Sequence, residues 1–88
     1  MPKFMGTHTL PPGGLTREQL SQLSQAAQQD PEVRGYRSFS NLSEGKIVCI
    51  FEAPNKETLA AWFQKMEVPY DSITQLELEG ERAVIEEV

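Results

Sequence analysis

Eighty-eight residues make one domain and no more, since domains typically run from about 50 to 250 residues. Eight Lys and Arg against 13 Asp and Glu leave a formal charge of −5, which disfavours nucleic acid and anionic membrane surfaces as partners. A single cysteine forbids an internal disulfide, the apolar runs are too short to span a membrane, and no charged-then-apolar leader opens the chain; the expected compartment is a reducing cytoplasm.

The chain begins with Lys3–Leu10, whose β-formers and turn-bounded length predict a strand. Its faces are Phe4, Gly6, His8 and Leu10 on one side and Lys3, Met5, Thr7 and Thr9 on the other. Pro11-Pro12-Gly13-Gly14 stops it, because proline has no N–H to give a ladder. Thr16-Arg17-Glu18-Gln19 fits a capping box, and Leu20, Leu23, Ala26 and Ala27 follow at helical spacing, which predicts a helix from Thr16 to Gln29. Asp30-Pro31 closes that helix. Val33–Ser40 reads as a second strand, with Gly35 at a bulge or a close backbone approach.

Asn41–Gly45 is a hairpin loop, with Gly45 free to adopt a left-handed conformation. Lys46–Ala53 is the most apolar run, and its near-continuous hydrophobicity predicts a central strand covered on both faces. One layer of helices covers only one of those faces, so the other is expected to meet a second subunit. Asn55 caps a second helix whose buried stripe is Leu59, Trp62, Phe63 and Met66, and Val68-Pro69 ends it. Ile73–Leu78 alternates like a half-exposed strand. Gly80 is then read as the turn into a last short strand, Ala83–Glu87, or a tail that docks on a partner.

Strand, helix, strand, strand, helix, strand across residues 1–88 predicts an α+β fold, the ferredoxin-like βαββαβ sandwich. Its antiparallel sheet has spatial order 4-1-3-2, both helices lie on one face, and an extra C-terminal strand is an option. The first and third strands are expected side by side and running parallel at the centre, so that His8 and Glu52 reach the same end of the sheet.

Residue by residue, Phe4-Met5-Gly6-Thr7-His8 on the first strand and Cys49-Ile50-Phe51-Glu52-Ala53-Pro54-Asn55 on the third resemble the small bacterial ferredoxin-like proteins whose best-described member binds nickel. The family pattern reads Phe-Met-Asp-x-His and Cys-Leu-x-Glu-Ala-Pro-x, and the end-to-end spacing also matches. The resemblance implies a homodimer and a site for nickel or another divalent transition metal, with His8, Glu52 and Cys49 as the residues that carry over. Two departures stand out. Gly6 occupies the place of the family's Asp, and the second helix, Trp62-Phe63-Gln64-Lys65-Met66, carries none of the family's His residues.

Each candidate also has a plainer role. His8, the sole histidine, is a borderline-metal ligand or a proton shuttle, or else a hydrogen-bonded structural group at a strand end. Glu52, amid apolar neighbours, is expected to pair with His8 on the helix-free face, its alternative being simple emergence into solvent. Cys49 is a ligand or a small buried hydrophobe, with no neighbouring cation to lower its pKa. Dinucleotide-binding glycines, a nucleophile elbow and paired-cysteine zinc motifs are all missing, so an enzyme is the less favoured class. Three functional readings follow: a dimeric metal-binding protein, a dimeric α/β-barrel protein holding a small molecule on its open sheet face, and a purely structural interaction domain.

Overall fold

The computed structural model describes residues Met1–Val88. Its elements are β1 (Lys3–Thr9), α1 (Arg17–Gln29), β2 (Arg34–Asn41), β3 (Lys46–Glu52), α2 (Lys56–Lys65), β4 (Ser72–Gln75), β5 (Leu78–Glu81) and β6 (Val84–Glu87). The first four strands form one sheet in the order β2-β3-β1-β4, and β5 and β6 form a separate two-stranded ribbon. The architecture is ferredoxin-like, with the C-terminal addition being a hairpin rather than one strand.

Local chemistry sets the boundaries. Thr16 accepts a hydrogen bond from the Gln19 N–H, and the Gln19 side chain reaches back to the Thr16 N–H, completing the capping box. Asn55 caps α2 through the Thr58 N–H. Gly45 takes φ 72° in the β2–β3 turn, where an added Cβ would collide with the Leu10 carbonyl oxygen. The β2–β3 ladder shifts register between Gly35 and Arg37, which puts a bulge at Tyr36, one residue beyond the expected Gly35. The final turn, however, falls at Arg82 and Ala83, both with positive φ, and Gly80 lies inside β5.

One sequence expectation fails. β1 and β3 are neighbours but run antiparallel, in a register that sets His8 against Ile47 and Glu52 against Lys3. The reason is topological: the crossover through α1 makes β2 parallel to β1, and the tight Asn41–Gly45 hairpin then reverses β3.

The core lies between the sheet and the two helices. Phe4, Cys49, Phe51 and Ile73 from the sheet meet Ala27 of α1 and Leu59, Trp62 and Phe63 of α2. Phe63 is its hub, with ring contacts to His8, Phe51, Trp62 and Tyr70 at centroid distances of 5.0 to 5.9 Å. On the other face of the sheet, Met5, Val48 and Ile50 are half-buried and Phe39 is 59% exposed. No helix is long and apolar enough to cross a membrane.

Candidate functional site

Alternation along β1 turns Phe4, Gly6 and His8 toward the helices, and alternation along β3 does the same for Ile47, Cys49 and Phe51. His8 and Cys49 therefore meet in the interior. The His8 ring is 4% exposed, with Nδ1 2.8 Å from the Pro69 carbonyl oxygen and Nε2 3.0 Å from Cys49 Sγ. A carbonyl can only accept, so the ring hydrogen sits on Nδ1 and Nε2 accepts from the Cys49 thiol. The edge of the ring packs against Phe63 at an interplanar angle of 87°.

Burial pushes the Cys49 thiol up to about 12 from an ordinary 9.0. Such a thiol is a packed hydrogen-bond donor, not a nucleophile or a ready metal ligand. At pH 8 its thiolate fraction falls from about 10⁻¹ to about 10⁻⁴. Iodoacetamide is therefore expected to label Cys49 about 10³-fold more slowly in the folded protein than in urea. Comparable rates in the two states would overturn this reading of the pair.

Glu52 is elsewhere. It projects from the helix-free face, opposite Lys3 and five residues along β3 from the partner of His8, roughly 17 Å away at the usual strand rise of ~3.4 Å per residue. The expected His8–Glu52 pair is thus broken by both strand direction and face. Cys49 takes the place of Glu52 beside the ring. Sequence reasoning missed Pro69, whose carbonyl orients the imidazole from 61 residues away, and it undervalued Phe63. Gly6 was the available signal for Phe63, because a glycine on the buried face of a strand marks a close approach.

That approach is tight. A Cβ on Gly6 would sit 3.0 Å from Phe63 Cζ and 3.2 Å from Cys49 Sγ. The Phe63 ring fills the space that a side chain at position 6 would need.

Above this pair, between α1, α2 and the sheet, lies a cleft of about 580 Å³. Leu20 and Leu23 of α1 form one wall, Phe63 of α2 and Met66 at its C-cap the other, and Ile47, Cys49, His8 and Ser38 the floor. Its only charged lining residues, Arg37 and Glu67, are both exposed. Open pockets of about 300–1,000 Å³ with apolar walls and a few polar groups are the usual form of a small-molecule site.

A ferredoxin-like sandwich with a buried His–Cys pair under a helix-side cleft defines the class. The model of the nickel responsive protein SCO4226-like family matches residues 4–76, and the chain belongs to that family. The crystal structure of SCO4226 from Streptomyces coelicolor A3(2) superposes with a TM-score of 0.75 at 26% identity, covering 89% of this chain and 99% of that one. Among curated proteins, none matches.

Nickel fits this chain's interior poorly. It favours several N or O donors in tetragonal or octahedral order, whereas no three His, Cys, Asp or Glu side chains converge here. Both His8 nitrogens are already engaged, and the neighbouring thiol holds its proton. Glycine stands where the family pattern has its carboxylate.

Proposed function

We propose that this chain is a ligand-binding member of its family, which holds a small, neutral, largely apolar organic molecule in the cleft between the helices and the sheet. The observation that carries this reading is the 580 Å³ space walled by Leu20, Leu23, Phe63 and Met66, with the Ser38 hydroxyl and the His8–Cys49 pair as polar features of its floor. The absence of any buried charge in the lining favours an uncharged ligand, because an ionised group enclosed there would lack a partner. The pocket belongs to the helix side, not to the open sheet face.

The fluorophore N-phenyl-1-naphthylamine, neutral and apolar, probes the cleft directly. Saturable binding to the wild type is expected, weakened at least tenfold by Leu23→Trp, which fills part of the space. Nickel titration supplies the counter-test: wild type and His8→Ala are expected to take up the ion equally weakly. Fluorophore binding indifferent to Leu23→Trp, or tight nickel uptake abolished by His8→Ala, would reject the reading.

The functional unit in this proposal is a homodimer joined through the helix-free faces. Met5, Val48 and Ile50 make an apolar centre there, and Phe39 stands exposed beside them, an uncovered patch of the kind that marks interaction surfaces.

A further inference from the structure

The floor of the cleft holds His8, Cys49 and Ser38 as its polar side chains, and the bonding of the first two leaves the third alone. His8 gives its Nδ1 hydrogen to the Pro69 carbonyl oxygen at 2.8 Å, and its Nε2 accepts from the Cys49 thiol at 3.0 Å. Both hydrogens are thereby taken. Ser38 makes no hydrogen bond within the chain and is open to solvent. We propose that Ser38 sets the specificity of the cleft by donating its hydroxyl hydrogen to a single neutral oxygen on an otherwise apolar ligand, such as a ketone, an ester or an alcohol. The inference rests on the cleft-binding reading above and adds the polar atom that the ligand must carry.

The ladder places the hydroxyl. Ser38 is the β2 partner of Cys49, and partners across an antiparallel pair share a face, with Cβ atoms roughly 4.5–5.5 Å apart. Cys49 faces the helices, so Ser38 stands beside the His8–Cys49 pair on the side of the sheet that the cleft occupies. Its neighbours along β2 do not compete. Arg37 pairs with Ile50 and Phe39 with Val48, which turns both to the helix-free face, where the Arg37 guanidinium lies 5.3 Å from the Phe39 ring centroid.

The opposite wall offers less. On α1, Gln28 Nε2 donates to the Gly35 carbonyl at 2.8 Å, and Gln19 Oε1 accepts from the Thr16 N–H at 2.9 Å. Gln22 and Ser24 are exposed on that helix, across the cleft from the floor.

A ligand lying over Cys49 displaces the water that serves Ser38. A hydroxyl stripped of water and left unpaired weakens binding by about tenfold, whereas an oxygen on the ligand restores the bond. That oxygen belongs to a neutral group, because the floor holds no cation to meet a carboxylate.

Indane and 1-indanone test the assignment, since these rigid, neutral molecules differ by one carbonyl oxygen. Each is titrated against the N-phenyl-1-naphthylamine complex of the wild type, Ser38→Ala and Ser38→Thr. Ser38 lies exposed on an edge strand, and circular dichroism follows the folding of the variants. Ser38→Ala is expected to weaken 1-indanone and tighten indane, moving the ratio of their dissociation constants by about tenfold. Ser38→Thr keeps the hydroxyl and should keep the wild-type ratio. The same ratio in Ser38→Ala as in the wild type, or displacement of the bound fluorophore by neither compound, would overturn the role of Ser38 and leave the cleft reading standing. A wild type that binds no fluorophore would overturn both.

Discussion

Phe63→Ala is expected to remove about 3–5 kcal/mol of stability, the range for truncating a fully buried phenylalanine. Phe63 is 1% exposed and stands at the meeting point of four rings. Its loss opens a void over Gly6 that neither neighbouring strand can fill, because β1 is held on both sides by β3 and β4. A chain of this size has roughly 5–10 kcal/mol to lose, and each kcal/mol corresponds to about 4–8 °C in Tm. The midpoint of thermal unfolding should therefore fall by roughly 15–30 °C. Tyr70→Ala is the matched comparison. Tyr70 touches the same ring but is 37% exposed, and its removal should cost about 1 kcal/mol, the value of one aromatic pair. Equal losses from the two variants would mean that Phe63 is not the hub.

The same core makes stability depend on alkaline pH. A thiol raised from 9.0 to about 12 by burial favours the folded state fully below pH 9, and that contribution is lost as pH rises toward 12. At ~1.36 kcal/mol per pH unit, about 2 kcal/mol should disappear between pH 8 and 10.5. Urea midpoints at the two pH values measure it. Cys49→Ala should lack this loss while keeping whatever lysines and tyrosines contribute, so parallel curves for the two proteins would exclude Cys49 as the source.

The helices and strand order were written in local pattern. Thr16 and Gln19, Asn55, the Leu59–Trp62–Phe63 stripe and Gly45 each act within a few residues of themselves, and each element begins or ends where they place it. The site depended on relations that no local pattern holds. Strand direction came from combining a crossover with a hairpin. The facing of β1 was ambiguous because Phe4 and Met5, or His8 and Thr9, offer each side one apolar and one polar residue. What settles it is Gly6, whose lack of a side chain admits the Phe63 ring. The cleft is further still from the sequence, since its width is set by how far α1 stands from α2. The amphipathic stripe of α1 fixes which face turns inward without fixing that distance. Leu20 and Leu23, part of that stripe, remain half-buried along the cleft.

Gly6→Asp joins these threads in one experiment. In the wild-type background the new side chain would meet Phe63 and Cys49 at 3.0–3.2 Å and bury a carboxylate with no cation near it. A loss of about 3–5 kcal/mol is expected from overpacking together with an unpaired buried charge. Combined with Phe63→Ala, the clash with the ring vanishes and only the contact with Cys49 Sγ remains. The pair should then cost about 2–3 kcal/mol less than the sum of the single losses, within the coupling seen for residues that share one volume. Nickel gives a second readout. With the ring gone, the introduced carboxylate, His8 Nε2 and Cys49 Sγ become three donors on one face of β1 and β3, and a metal can displace the thiol proton that burial otherwise retains. Nickel should therefore raise the unfolding midpoint of the double variant and leave the wild type and both single variants unmoved. Strict additivity, with no response to nickel in any of the four proteins, would show that Gly6 and Phe63 do not divide one space between them. The contrast between this chain's cleft and a metal-holding interior would then need another cause.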